Sequence, residues 1–183
     1  MATALFATTS YFKQSTIVDE NVDDKIIAVV IEDMQDLRIH EILGTDLYED
    51  LQTKVIAGTI AGDDKTLLDS YVFPTLKYYV VSELSFDLMI RIRNKGVQKL
   101  GSENAQSVSF SEAQSTSSRY EDKAEEMAQR MIDYLCENEA LFPLYSENTT
   151  QDKIKPLTTA ATTSIYLGGR TRKRKLSAEQ RYG

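Results

Sequence analysis

Asn21-Val22-Asp23-Asp24-Lys25-Ile26-Ile27-Ala28-Val29-Val30-Ile31-Glu32-Asp33-Met34-Gln35-Asp36-Leu37 has the pattern of an amphipathic helix. Val22, Ile26, Val30, Met34 and Leu37 recur at spacings of four and three, which lays one apolar stripe along a helix. Asn21 suits the N-cap, because its side chain can accept an orphan backbone N–H; Asp23 and Asp24 then suit the positive end of the helix dipole. Asp33 and Asp36 fall off the stripe. The apolar run Ile26 to Ile31 is six residues long, whereas a membrane span takes about 20. The stretch therefore predicts a core helix, over 21–40.

Gly44 closes this segment as an expected left-handed cap, and Thr45 can cap a second helix over 45–57, through Leu47, Leu51 and Val55 to Gly58. A third helical segment over 64–94 carries Leu67, Leu68, Tyr71, Val72, Leu76, Tyr79, Val80, Leu84, Leu88 and Ile92, with Pro74 inside it. Pro74 either bends one long helix or occupies the first turn of a new one. Gly96 is the expected stop. Gly101 to Ser109 reads as a loop, and a helix over 112–138 follows, with Ser111 and Gln114 as a capping box. Phe142-Pro143 ends it. Residues 1–18 mix β-branched and aromatic side chains without helical period and read as an extended arm. The expected organisation is an N-terminal arm (1–18), a helical domain (19–143) and a non-helical extension (144–183). In that extension Thr158 to Leu167 has strand-forming composition. The fold class is all-α: a helical bundle of four to five helices.

The chain has 183 residues, 42% hydrophobic, with a formal net charge of −7. This is an ordinary globular composition, neither disordered nor membrane-embedded. Charge is uneven. Residues 170–183 hold six cations and one anion, so the first 169 residues carry −12. Asp19 to Asp50 alone contain eleven carboxylates against Lys25 and Arg38. The N-terminal residues lack the charged region of a signal peptide, and the single cysteine, Cys136, has no internal partner for a disulfide. An intracellular folding environment is the expectation.

Several phrases resemble phage head-to-tail connector proteins, the adaptor subunits that form a ring beneath the portal. They are Asp19-Glu20-Asn21-Val22-Asp23, Glu41-Ile42-Leu43-Gly44-Thr45-Asp46-Leu47-Tyr48, Leu67-Leu68 with Tyr71-Val72-Phe73-Pro74, and Arg91-Ile92-Arg93-Asn94-Lys95-Gly96-Val97. The resemblance covers roughly residues 8–100. The serine-rich stretch 107–118 and the Arg/Lys-rich end depart from it. It implies a helical bundle, a cyclic homo-oligomer (commonly a dodecamer), contacts with the portal and with tail or further ring proteins, and no chemistry. The expected place is the virion neck, after synthesis in the host cytoplasm. DNA would pass through the channel without sequence recognition. A cation-lined channel would hold phosphates, whereas an acidic one lets them slide. An acidic surface that merely keeps the chain soluble explains the charge equally well.

Candidate sites are few. Asp36 and His40 share a helical face, but a tight zinc site needs three or four ligands and there is no second histidine. His40 reads as a solvent-facing side chain and Cys136 as a packing residue. Asp63-Asp64 lacks the alternating ligands of a calcium loop and reads as helix capping. Tyr78 and Tyr79 are adjacent, so one should face inward and one outward, where a subunit interface is conceivable. No catalytic, cofactor or metal residues are assigned, and no enzymatic activity is expected. The sharpest local feature is the cationic run Arg170, Arg172, Lys173, Arg174 and Lys175, hinged at Gly168-Gly169. It suits docking to an acidic protein, DNA or RNA contact, a localisation signal, or a solvated tail. A small helical nucleic-acid-binding regulatory protein using this tail is the alternative to the connector.

Overall fold

The computed structural model describes residues 4–88, 90–93, 96–99, 110–146 and 154–157. Its elements are α1 (Thr9–Ser15), α2 (Asp24–Met34), a π-helical turn (Gln35–Ile39), α3 (His40–Leu43), α4 (Thr45–Ala57), α5 (Gly62–Leu67), a second π-helical turn (Leu68–Val72), α6 (Phe73–Asp87), the strands β1 (Ile90–Arg93) and β2 (Gly96–Lys99), α7 (Phe110–Glu137) and α8 (Pro143–Ser146). The fold is all-α. Its one sheet among the described residues is the antiparallel hairpin β1–β2. The expected strand at 158–167 and the loop 101–109 lie outside the described residues.

The N-cap of α2 is Asp23, which accepts the N–H of Lys25 at 2.9 Å. Asn21, the expected cap, instead lies in a turn where Asp19 accepts its N–H at 2.8 Å. The apolar stripe also differs from expectation. Ile27, Val30, Ile31 and Met34 are buried, but the next buried apolar residue is Ile39, followed by Ile42 and Leu43. Leu37 is 63% exposed. The reason is the π-helical turn, in which His40 donates its N–H to the carbonyl of Gln35, five residues back. One extra residue per turn shifts the inward face by one position.

Gly44 has φ 75 and ψ 159 and is both the C-cap of α3 and the N-cap of α4. The positive φ is as expected, although the ψ lies outside the left-handed helical region. Thr45 is therefore the first residue of α4 rather than its cap. Gly58 supplies the left-handed cap that ends α4.

Pro74 occupies the first turn of α6, directly after the second π-helical turn. In a regular helix its ring would meet the carbonyl of residue 70. Here the wider turn, closed by the Phe73 N–H on the carbonyl of Leu68, precedes it. The helix passes through Pro74 without a break.

The helix expected to run to residue 94 stops at Asp87. Ile90-Arg91-Ile92-Arg93 alternates with period two, the strand pattern, and isoleucine suits a strand. Gly96 is not a helix cap: it opens β2 and pairs with Arg93, leaving a two-residue connection between the strands. A second correction falls at the N-terminus. Residues 9–15 are helical, with Thr8 as N-cap accepting the N–H of Tyr11. Phe6 and Phe12 are buried in the same core as the bundle, so this segment is a packed part of the domain rather than an extended arm.

The core joins Phe12, Ile27, Ile31, Leu43, Leu51, Leu76, Leu84, Met131 and Leu135. Each such side chain contributes about 1.5–3 kcal/mol by leaving water. Half of the buried residues of α7 are small, Ala113, Ser117, Ala124 and Ala128, which lets α6 approach closely along that part of the helix. The hydroxyl of Ser82 reaches the Ser117 carbonyl at 3.1 Å and its hydroxyl at 2.9 Å, so this buried polar pair is satisfied. The helix begins at Phe110, so Ser111 and Gln114 lie within it rather than at its cap.

Candidate interaction surfaces

Gln35 is fully buried at the first π-helical turn and its amide is saturated. Its Oε1 accepts the N–H of Phe6 at 2.7 Å, while its Nε2 donates to the carbonyl of Ala4 at 2.9 Å and to the Tyr48 hydroxyl at 3.0 Å. The Tyr48 hydroxyl in turn donates to Asp36. Burial, and then this carboxylate, push the Tyr48 phenol far above its usual range. The Tyr48 ring stacks on His40 at 4.3 Å and meets Phe6 edge-on at 5.4 Å. His40 Nε2 lies 3.0 Å from the Thr45 hydroxyl. His40 is thus half-buried and engaged, not solvent-facing, because the turn at Gly44 folds α4 back over it. Asp36 and His40 do meet one neighbour, Tyr48, but no group of three His, Cys, Asp or Glu side chains among the described residues is placed to hold a metal.

The same junction holds the C-terminal segment. The Thr45 N–H donates to the carbonyl of Ile154 at 3.1 Å, and the Ile154 N–H donates to the Thr45 hydroxyl at 3.0 Å. The Leu157 N–H donates to the carbonyl of Glu41 at 3.2 Å, and the Tyr145 hydroxyl donates to the carbonyl of Leu157. Nothing in the local sequence pattern around Ile154 signals this pairing, since its partners lie more than a hundred residues away.

A groove of ≈ 560 Å³ opens where α2, its π-helical turn, α6 and α7 meet; Met34, Leu37, Arg38, Glu83, Phe86 and Glu121 are among its lining residues. Arg38 sits 3.7 Å from Glu121 and 5.3 Å above the Tyr79 ring. The Tyr79 hydroxyl donates to Glu125 at 3.0 Å. The carboxyl of Glu83 is held above its usual range by partial burial and by the charge of Asp87, and that of Asp87 by burial and by Asp33. Arg38 offsets this concentration of negative charge only in part.

A second cluster has the opposite sign. The Lys123 ammonium lies 4.6 Å from the Tyr120 ring and 5.8 Å from the Tyr78 ring, Lys77 lies 4.9 Å from Tyr78, and the Arg119 guanidinium lies 5.3 Å from Tyr120. The two rings are 6.3 Å apart. Among the described residues none of these three cations is bridged to a carboxylate, whereas Lys13, Arg38, Lys54, Lys65 and Arg130 all are. The expected division of Tyr78 and Tyr79 holds in part: Tyr79 is buried, and Tyr78 is half-buried and packs against the core rather than facing fully outward.

Of the residues singled out in the sequence, Arg170, Arg172, Lys173, Arg174 and Lys175 lie outside the described residues. Asp63 and Asp64 sit in the first turn of α5, whose N-cap is Ala61; Asp64 bridges to Lys54 at 2.6 Å rather than capping. Cys136 is exposed, not a packing residue, because it follows Leu135 by one position and so falls off the buried stripe of α7. The groove and the cationic cluster escaped sequence reading. Only the four-residue spacing of Arg119 and Lys123 hinted at the latter.

Together these features define an all-α bundle whose surface carries a negative groove, a cationic aromatic cluster and a docked C-terminal segment. The chain belongs to a family of unknown function, DUF6712, whose model matches residues 39–154. No curated protein and no solved structure matches it. No helix among the described residues is long and apolar enough to cross a membrane.

Proposed function

We propose that this chain is a structural subunit of a phage head-to-tail connector ring beneath the portal, forming part of the DNA channel and joining portal to tail. The observation that carries the reading is the Gly44 junction. The phrase Glu41 to Tyr48, which resembles the connector family, builds the α3–α4 turn in an all-α bundle and anchors both the N-terminal segment, through Tyr48 and Gln35, and the C-terminal segment, through Thr45 and Glu41. A subunit that must hold ends reaching toward neighbours gains from fixing both at one rigid turn. The acidity of the first 169 residues adds support, since a ring of such subunits repels DNA rather than gripping it. The basic run 170–175 serves in this reading as a docking tail for an adjacent ring.

Purification of the full chain, alone and with portal protein, tests it. A cyclic oligomer or assembly on the portal is expected. Deleting residues 170–183 should leave helicity and melting intact while weakening attachment, and attachment should weaken as salt rises. A monomer that ignores the portal overturns the reading. The cationic cluster around Tyr78 and Tyr120 favours the second reading, a nucleic-acid-binding regulatory protein, which calls for a monomer with strongly salt-dependent DNA binding.

A further inference from the structure

The α6–α7 pair carries opposite charges on two different flanks. Tyr78 and Tyr79 are consecutive on α6, and Tyr120 and Glu121 are consecutive on α7. Consecutive helical residues diverge by about 100°. On both helices, then, the step from one residue to the next leads from the cationic cluster to the acidic groove. Arg119 and Lys123 repeat at four residues on one flank of α7; Ser117, Glu121 and Glu125 repeat at four residues on the other.

From this arrangement we infer that the cluster Lys77, Tyr78, Arg119, Tyr120 and Lys123 of one copy docks onto the groove around Arg38, Glu83 and Glu121 of a second copy, head to tail. This rests on the ring reading above and names the interface within it.

Three arguments favour a second copy as the occupant. First, the two surfaces are complementary: three cations with no carboxylate bridge among the described residues face outward on one side, and a surplus of carboxylates faces outward on the other. Second, each has an apolar component to bury. Leu37, which the π-helical turn rotates out of the core, lines the groove with Met34 and Phe86, and the half-buried Tyr78 ring stands at the cluster. Third, two unlike patches on one chain make a heterologous contact, the kind that closes into a ring when the rotation allows. Docked cations would also relieve the mutual repulsion of the Glu83 and Asp87 carboxylates.

The test uses full-length chains and measures mass in solution, with circular dichroism as a folding control. Variant one reverses the cluster (Lys77→Glu, Arg119→Glu, Lys123→Glu). Variant two reverses the groove (Glu83→Lys, Glu121→Lys). Each alone juxtaposes like charges and should raise the dissociation constant of the oligomer at least tenfold. Mixed in equal amounts, every contact again pairs opposite charges, and a mixed oligomer of wild-type mass should form. Neutral versions (Lys77→Gln, Arg119→Gln, Lys123→Gln; Glu83→Gln, Glu121→Gln) replace any reversed variant that loses helicity, with weakened assembly expected of each. An oligomer of wild-type mass from each altered chain alone overturns the inference and leaves the ring reading standing. A wild-type chain that is monomeric at all concentrations overturns the inference, and one that also ignores the portal overturns the ring reading too. Loss of duplex DNA binding on reversing the cluster, with mass unchanged, assigns the cluster to nucleic acid and overturns the inference.

Discussion

Phe6, in the segment before α1, and Gln35, on the first π-helical turn, are joined by a buried hydrogen bond of 2.7 Å from the Phe6 N–H to Gln35 Oε1. The bond ties the N-terminal segment to the one place where the long helical run departs from α geometry. Replacing Gln35 by Leu would strand the Phe6 N–H, the Ala4 carbonyl and an acceptor site on Tyr48. Each buried unpaired group costs about 1–3 kcal/mol. A loss of about 2–4 kcal/mol is expected for Gln35→Leu in chemical denaturation, with the slope of the transition unchanged. A loss below about 0.5 kcal/mol would mean the segment does not depend on this amide.

Gly44 sits at φ 75, ψ 159, a region almost exclusive to glycine. Gly44→Val should cost about 1–3 kcal/mol through backbone strain alone. Gly58 has φ 65, ψ 26, and a Cβ built there meets nothing within 4 Å. Gly58→Ala should therefore cost only about 1 kcal/mol. Thermal melts of the two variants give the order, and a Gly58 variant less stable than the Gly44 variant would contradict it.

Pro74 behaves differently from a proline in an unbroken helix, where the penalty is about 3 kcal/mol. A π-helical turn lies directly ahead of it, and its wider backbone can take up the missing N–H and the bulk of the ring. Pro74→Ala should accordingly change stability by less than about 1 kcal/mol in either direction. A gain near 3 kcal/mol in urea titration would show that the turn does not accommodate the ring.

Glu83 and Asp87 have carboxyls raised above their usual range, by burial first and then by neighbouring acids. A carboxyl raised on folding holds its proton more tightly in the folded chain. Its stabilising share is complete below the ordinary carboxylate range, about pH 4, and is lost as pH climbs through the raised value. The double variant Glu83→Gln with Asp87→Asn should melt about 1–2 °C above wild type at pH 7. That advantage should fade as pH falls toward 4. A constant difference at both pH values would count against the electrostatic cause.

Local sequence carried much of this fold. The periodic apolar residues of α2, α4, α6 and α7, the glycines at 44 and 58, and the alternation of apolar and polar positions all act over one or two turns, so helix existence follows from neighbours in the chain. Even the hairpin was locally encoded, in Ile90-Arg91-Ile92-Arg93, although a preceding helix with the same apolar residues masked its period.

Neighbouring residues were thus enough for the helical class, which follows from apolar spacing along each helix, and for the turn at Gly44, which follows from the backbone freedom of one glycine. Packing between distant segments set the rest: Leu37 faces outward, Gln35 is a buried junction for the N-terminal segment, Ile154 pairs with Thr45, and opposite charges occupy two flanks of the α6–α7 pair. An extra residue in a π-helical turn rotates everything after it by a fraction of a turn, and partners a hundred residues apart leave no local period. Such features exist only once helices are packed against one another.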